Sequence, residues 1–203
     1  MNEQVTEKEI ISSEINTVSE ADRTRAIETL VLAFASDPQL RFLYPDPLQY
    51  QTYAFEFFKA FGGNAFEEKS AHQASGFSGV ALWLPPDIHP NEEDLVNLIH
   101  KSADESKIPT VMKVLEQMDQ YQPEEPHWHL PLIGVDPSKQ GNGYGSVLLQ
   151  YGLDIINRQG SIAYLENTNP KNKPLYERHG FEEIGVIQVD DAPPLFPMIR
   201  YPN

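Results

Sequence analysis

The sequence predicts a single domain of mixed α/β class. Its 203 residues, of which 40% are hydrophobic, are enough for one substantial core and argue against disorder of the whole chain. Segments with apolar residues at helical spacing alternate with short apolar runs typical of strands. No repeat or low-complexity linker separates them, so residues 10–203 are expected to form one domain behind a flexible tail at residues 1–9.

The first half of the domain contains several residues that are typical of the ends of helices and strands. Ser19 with Asp22 resembles a capping box, Asp37-Pro38 is expected to end the helix that follows, and Gly62-Gly63 is typical of a helix C-terminus. The predicted elements are a strand within 10–18, a helix from about 19 to 34, a loop or short helix at 40–47, a helix at 50–61, and strands at 70–75 and 77–84.

The second half alternates helices and strands around one glycine-rich turn. Acidic residues that follow Asn91 suit the first turn of a helix, because the helix dipole favours negative charge there. The predicted elements are a helix from 91, a helix at 109–121, a strand at 128–135, a helix at 145–158, a strand at 162–167, a loop and short helix at 170–179, and a hairpin of strands 181–189 and 195–201 turned by 190–194.

Composition excludes several classes of function. There is no cysteine, and hence no disulfide, thiolate metal site or thiol nucleophile. The net charge of −15 argues against nucleic acid as a partner. No apolar run approaches the roughly 18 residues of a membrane helix, and the N-terminus does not resemble a signal peptide. We therefore expect a cytoplasmic protein, monomeric or homodimeric, that needs no membrane.

The charge is spread unevenly along the chain. Residues 136–180 hold four acids and five bases, a net +1, so the remainder carries −16. The acid excess either confers solubility or draws a cationic substrate to an acidic cleft. Residues 136–180, which lack this excess of acidic residues, are suited to a polyanionic ligand.

That segment contains the most informative motif of the chain. An apolar strand-type run, 132–135, stops at Asp136-Pro137, and three glycines precede a helix pattern. Such a turn leaves several backbone N–H groups without acceptors at a helix N-terminus, where the dipole favours an anion. A P-loop would need a Lys after its last glycine, and a Rossmann turn would need Gly-x-Gly-x-x-Gly. The sequence instead reads Gln140-Gly-Asn-Gly-Tyr-Gly145.

Two motifs together resemble the GNAT superfamily of acetyl-CoA-dependent N-acetyltransferases. The first is the glycine turn preceded by Leu132-x-x-Val135-x-Pro137, and the second is Asn169-x-x-Asn172-x-x-Leu175-Tyr176 followed by Gly180-Phe181. Within the superfamily the chain looks most like the puromycin N-acetyltransferase group, through Pro126-His-Trp128, Tyr164-Leu-Glu166 and residues 170–181. The resemblance implies a mixed, mostly antiparallel sheet with helices on both faces and two strands splayed where coenzyme A binds.

The resemblance also implies which residues hold acetyl-CoA. The strand at 132–135 would run beside the pantetheine arm, and the glycine turn would bind the diphosphate through backbone N–H groups. Asn169 and Asn172 would either bind coenzyme A or cap a short helix. The residues expected to contact the cosubstrate are Leu132, Ile133, Val135, Gln140, Gly141, Asn142, Gly143, Tyr144, Gly145, Ser146, Asn169, Asn172 and Tyr176.

Catalytic roles follow from the chemistry of acetyl transfer to an amine. Tyr176 is expected to be the general acid that protonates the departing thiolate, because the tyrosine at this position lies near the sulfur in the family that the chain resembles. Glu166 is the leading candidate for the general base, with His129 or His127 as alternatives. Tyr44, Trp83 and His127 are candidates for the acceptor pocket. His127 and His129 lack an evident third ligand, so no metal is expected.

The sequence therefore predicts acetyl transfer from acetyl-CoA to a primary amine of a small molecule. Two alternatives stay open at this point: a catalytically silent acyl-CoA sensor, and an acetyltransferase acting on a protein N-terminus or lysine. The sensor would keep the glycine turn and would need neither Tyr176 nor a base.

Overall fold

The computed structural model describes residues 15–202, and the expected tail at residues 1–9 lies outside them. Seven strands form one sheet in the described chain. They are β1 Ile15–Thr17, β2 Ala71–Ala74, β3 Gly79–Leu84, β4 His127–Val135, β5 Ile162–Asn167, β6 Glu182–Glu183 and β7 Phe196–Arg200.

Eight α-helices of the described chain pack against this sheet. They are α1 Arg23–Ala33, α2 Pro38–Leu43, α3 Pro47–Gly62, α4 Asn64–Glu67, α5 Glu92–Ser102, α6 Ile108–Tyr121, α7 Tyr144–Arg158 and α8 Lys173–Arg178. None of the helices in residues 15–202 is long and apolar enough to cross a membrane.

The strand order is β1-β2-β3-β4-β5-β7-β6, and every neighbouring pair is antiparallel except β4 and β5. The expectation of a mixed, mostly antiparallel sheet is therefore confirmed. The one parallel pair requires a crossover, which α7 supplies between the end of β4 and the start of β5.

The sheet separates two cores, as the alternation of side chains along β3 shows. Val80, Leu82 and Leu84 face the core built with α1, α3 and α5. Ala81 and Trp83 face the core built with α7 and α8. All six residues of β3 are buried, which explains why this strand reads as a continuous apolar run.

Two local expectations were wrong. Ser19 makes no capping bond: residues Glu20–Asp22 form a 3-10 turn, and the Ser19 hydroxyl donates instead to the Asp22 carboxylate. The expected strand 181–189 shortens to β6 and one further bridge, Ile187↔Leu195. The rest of this segment leaves the sheet, because its apolar residues Ile187 and Val189 pack on α6 rather than continue the alternation.

Asp37 begins a helix as well as following one. Its carboxylate accepts from the backbone N–H groups of Gln39 and Leu40, 3.0 and 3.2 Å away, so Asp37-Pro38 is the N-cap and first residue of α2. The preceding helix ends four residues earlier, at Ala33. Asp46 caps α3 in the same way, which starts that helix at Pro47 and not at Tyr50.

Gly152 lets α7 approach the sheet closely. A Cβ at this position would stand 2.3 Å from Nε1 of Trp83, which is 1% exposed. Alanine ordinarily stabilises a helix interior relative to glycine, but here the rigid indole must shift. We expect Gly152→Ala to lower the free energy of unfolding by about 2 kcal/mol and the melting temperature by about 4–8 °C.

Thermal melting of three variants tests this packing argument. Trp83→Phe should cost stability by itself, because it leaves a cavity. Combined with Gly152→Ala it should recover part of the loss, since the smaller ring makes room for the new methyl group. Additive losses in the double variant would contradict a direct clash between these two residues.

Candidate active site

Strands β4 and β5 separate in the middle of the sheet. Their parallel pairing covers only His127↔Ile162, Trp128↔Ala163 and His129↔Tyr164. Beyond the last pair, β4 continues to Val135 paired with β3 alone, and β5 continues to Asn167 paired with β7 alone. The facing edges of the two strands are thus open to an extended ligand, as the family resemblance implied.

An irregularity in β4 lies at the point of separation. Leu82 of β3 is opposite Leu132, whereas Leu84 is opposite His129, so β4 uses three residues where β3 uses two. Pro131 lies in the extra stretch and has no N–H to give to a ladder. The bulge therefore lies next to the residue at which β4 stops pairing with β5.

The glycine turn follows β4 directly. Gly141 and Gly143 have φ of +81° and +87°, a region that side chains strongly disfavour, and a Cβ on either would meet no atom within 4 Å. Glycine is therefore needed here for backbone conformation, and the surface of the turn is open. Gly143 is the N-cap of α7 and offers no capping side chain.

Seven consecutive backbone N–H groups of this turn, those of residues 140–146, have no acceptor within the described chain. The next N–H, that of Val147, donates to the carbonyl of Gly143 at 3.1 Å and starts the regular helix bonding. Donors exposed at a helix N-terminus form an anion site. The geometry of the turn fits the diphosphate of coenzyme A.

Side chains of the turn stabilise it through hydrogen bonds to the neighbouring chain. Asn142 donates from Nδ2 to the carbonyl of Lys139 at 3.0 Å, and Gln140 donates from Nε2 to the carbonyl of Val135 at 3.3 Å. Ser146 Oγ lies 2.8 Å from Nε2 of His179, just after α8. These bonds fix the turn against both β4 and α8.

Tyr176 lies on α8 and is buried in the core below the sheet. The adjacent Leu175 comes within 3.7 Å of the Cβ position of Gly145, so α8 packs on the first turn of α7. Burial raises the pKa of Tyr176, and the carboxylate of Asp37 raises it further. The phenol therefore holds its proton at neutral pH.

Asp37 and Thr168 belong to this region and were not anticipated from the sequence. The Thr168 hydroxyl donates to the second oxygen of the buried Asp37 carboxylate. This bond ties α2 to the chain just beyond β5. Burial raises the pKa of Asp37 despite its hydrogen bonds. The sequence contains one indication of the position of Asp37. An Asp-Pro pair is typical of the start of a helix as well as of the end of one.

Glu166 and His129 form a buried pair at the start of the separation. Nε2 of His129 lies 2.8 Å from Oε2 of Glu166, and the side chains are 7% and 3% exposed. The other carboxylate oxygen, Oε1, is buried and has no hydrogen-bond partner in the described chain. The aromatic rings of Phe61 and Tyr164 flank the imidazole of His129, with ring centroids 6.4 and 5.7 Å from it.

Two cavities meet beside this pair. One, of about 280 Å³, is bounded by Glu166, His129 and residues of α5 and α6. The other, of about 90 Å³, is almost wholly apolar and touches Pro131, Leu132 and Thr168, where the strands are apart. Phe61, Leu115 and Met118 line both cavities. The carboxylate–imidazole pair thus faces a cavity that adjoins the opening between β4 and β5.

Of the two asparagines after β5, only Asn169 caps a turn in this structure. Asn169 Oδ1 accepts from the backbone N–H of Lys171 at 3.1 Å and caps the 3-10 turn Pro170–Asn172. Asn172 is exposed and has no capping bond. Capping was one of the two alternatives stated for these residues.

The three acceptor-pocket candidates have different surroundings. Tyr44 is fully buried, and its hydroxyl lies 2.9 Å from Oγ of Ser102. Trp83 lies in the opposite core, against α7. His127 is half-buried, borders a separate cavity of about 190 Å³ together with His129, and has its pKa lowered mainly by burial. The structure brings only His127 near the Glu166–His129 pair. Within residues 15–202, no three His, Cys, Asp or Glu side chains are grouped as a metal site.

Comparisons with known proteins agree with this geometry. The model of the acetyltransferase (GNAT) family matches residues 112–181, which include β4, the glycine turn, β5 and α8. An uncharacterised N-acetyltransferase from Schizosaccharomyces pombe is 27% identical over 208 residues, covering 92% of this chain and 82% of that protein. A solved structure from Corynebacterium glutamicum, described as histone acetyltransferase HPA2 and related acetyltransferase, is 27% identical and superposes with a TM-score of 0.66 over 94% of this chain and 96% of its own.

Residues 112–181 thus match the GNAT family of acetyltransferases, and the relatives that are similar over most of the chain are described as acetyltransferases. Arylalkylamine N-acetyltransferase 2 from Aedes aegypti has the same fold, with a TM-score of 0.66 at 17% identity, covering 93% of this chain and 98% of its own. The match to the GNAT family implies acetyl-CoA as the cosubstrate. The open glycine turn, its unpaired N–H groups and the separated strands fit that ligand.

Proposed function

We propose that this protein transfers the acetyl group of acetyl-CoA to a primary amine of a small molecule. The observation that carries the proposal is the convergence of three features: the glycine turn, the opening between β4 and β5, and the Glu166–His129 pair beside a cavity. Purified protein, acetyl-CoA and a panel of amines test it, with release of the coenzyme A thiol as the readout.

The chain would hold the cosubstrate by backbone groups. The N–H groups of residues 140–146 bind the diphosphate, and the free edge of β4 pairs with the amides of the pantetheine arm as a neighbouring strand would. The bulge at Pro131 leaves room for the thioester beside Leu132 and Thr168. Acetyl-CoA supplies an activated acyl group, so the protein needs only to orient it and to handle two protons.

Glu166 and His129 would remove the first proton. An amine reaches the site as an ammonium ion, which has no lone pair and cannot attack a carbonyl carbon. The buried Oε1 of Glu166 is a free acceptor for that proton, and Nε2–H of His129 steadies Oε2. The neutral nitrogen then forms the C–N bond.

Tyr176 would supply the second proton. When the C–S bond breaks, the thiolate of coenzyme A becomes the leaving group, and an O–H donor beside it lowers the barrier. A phenol whose pKa is raised by burial keeps its proton until that moment. The nearby glycine turn and α8 pack together, which supports this assignment.

The choice of a small-molecule acceptor rests on the site and on relatives. A cavity of about 280 Å³ suits a small amine. Solved structures of the same fold include arylalkylamine and agmatine N-acetyltransferases, at 17% and 13% identity. The finer resemblance to the puromycin N-acetyltransferase group stays a prediction. Thiol release with a lysine-containing peptide but with none of the small amines would overturn the small-molecule proposal.

Glu166→Gln should lower kcat/KM about a hundredfold. Glutamine keeps the shape of the glutamate side chain and can still form a hydrogen bond with His129. Its amide cannot accept the proton of the ammonium group. We expect the affinity for acetyl-CoA to stay the same and the folded protein to be as stable as before or more so, because the variant no longer buries a negative charge at this position. Steady-state kinetics across pH and a thermal melt check these expectations.

His129→Gln and the double variant extend the test. If the two side chains act as one unit, the double variant should be hardly slower than Glu166→Gln alone, since effects within a catalytic unit do not add. Wild-type rates in Glu166→Gln would exclude this carboxylate as the base.

A further inference from the structure

The cavity next to Glu166 and His129 carries an unusual set of charges. Its lining contains four carboxylates and neither lysine nor arginine. The four come from three elements of the fold, α5, α6 and β5, so the fold itself brings them together. They are Glu92, Glu116, Asp119 and Glu166.

Three of these carboxylates have no cationic partner in the described chain, and Glu166 is paired only with the imidazole of His129. Among residues 15–202, no lysine or arginine forms an ion pair with any of them, and the nearest base on α6, Lys113, pairs with Asp190 instead. Glu166 is the deepest, with its side chain 3% exposed and Oε1 lacking any partner. A buried carboxylate is costly unless a cation meets it. A positively charged ligand in this cavity would therefore meet carboxylates that no lysine or arginine of the described chain occupies.

The carboxylates reach the cavity from the sheet and from two helices. Glu166 is buried on β5, whereas Glu92 is exposed on α5. Glu116 and Asp119 are exposed and lie three residues apart on α6, so they share one face of the helix. Most of the other lining residues are apolar: Phe61, Leu95, Val96, Met112, Leu115 and Met118.

From this arrangement we propose that the acceptor amine carries a second positive charge, separated from the first by an apolar chain. The reacting ammonium meets Glu166, the methylene chain lies against the apolar walls, and the distal ammonium meets Glu116 and Asp119. The acceptor class is thus the α,ω-diamines and their extended relatives. This inference rests on the proposed acetyl transfer and specifies its substrate.

The test pairs each diamine of three to six carbons with the monoamine of the same chain length. In the wild type, kcat/KM should be at least about tenfold higher for the best diamine than for its monoamine, as two partly exposed charge contacts would give. Glu116→Gln combined with Asp119→Asn should bring that ratio close to one. Glu105→Gln is the matched control, because Glu105 is exposed in the turn before α6 and does not line the cavity. It should leave the ratio unchanged.

The outcomes separate this inference from the proposed function. Acetylation of monoamines as fast as diamines would overturn the diamine inference and leave amine acetylation standing. Acetylation of no amine at all would overturn the proposed function. In that event calorimetry with 1,5-diaminopentane and 1-aminopentane decides the inference alone: tighter binding of the diamine supports it, and equal binding of the two contradicts it.

Discussion

Replacing Tyr176 with phenylalanine should lower kcat by about two to four orders of magnitude, with the affinity for acetyl-CoA within about twofold of the wild type. The change removes one oxygen and keeps the ring that packs against Phe181 and α7. Loss of turnover without loss of binding is the signature of a group that acts on the leaving thiolate.

The pH dependence sharpens this expectation. Because burial and the Asp37 carboxylate raise the pKa of Tyr176, its proton is present throughout the neutral range and is lost only above the ordinary tyrosine value near 10. Activity should therefore show no alkaline decline from this group below about pH 10. A decline centred below that value would point to a different proton donor.

Tyr50→Phe is the matched control for Tyr176→Phe. Tyr50 is also buried, and its hydroxyl donates to the carbonyl of Val31 at 2.7 Å, in the other core. Its replacement should cost about 1 kcal/mol of unfolding free energy with kcat preserved. If Tyr176→Phe also kept its kcat, or if both variants lost activity in proportion to stability, Tyr176 would have only a packing role.

Gly143→Ala should weaken acetyl-CoA binding by at least about tenfold, measured as Kd by calorimetry. At φ of +87° a Cβ costs roughly 1–2 kcal/mol, so the turn relaxes and its N–H groups no longer point to one place. The new methyl group also stands on the open side of the turn, where the diphosphate approaches.

Gly160→Ala separates these effects from general strain. Gly160 has φ of +63°, and a Cβ there also meets nothing within 4 Å, but it lies in the turn at the far end of α7. Both variants should lose similar stability, and only Gly143→Ala should lose affinity. Equal affinities for acetyl-CoA in the two variants would mean that the turn at Gly143 does not hold the ligand.

The sequence predicts the half of the site that depends on short, contiguous motifs. The glycine turn is local: positive φ at Gly141 and Gly143 and a helix start at Tyr144 follow from residue type and spacing alone. The separation of β4 and β5 was expected only through family resemblance. The bulge around Pro131, which accompanies this separation, depends on register with β3, and no local pattern encodes that register.

The acceptor side could not be predicted, because it is assembled from distant segments. Phe61, Glu116 and Glu166 lie on α3, α6 and β5 and meet only after the helices dock on the sheet. Each reads in the sequence as an ordinary core or surface residue of its own element. The same limit explains Tyr44 and Trp83: an aromatic side chain does not reveal from its neighbours whether it borders a cavity or fills a core.

The proposed role of the turn at residues 140–146 is to bind the diphosphate of coenzyme A. Calorimetric titration of the wild type and Gly143→Ala with coenzyme A and with pantetheine, which lacks the diphosphate, measures this role. We expect saturable binding of coenzyme A, at least about tenfold weaker binding of pantetheine, and an effect of Gly143→Ala on coenzyme A alone. No binding of coenzyme A, or equal binding of both ligands to both proteins, would contradict it.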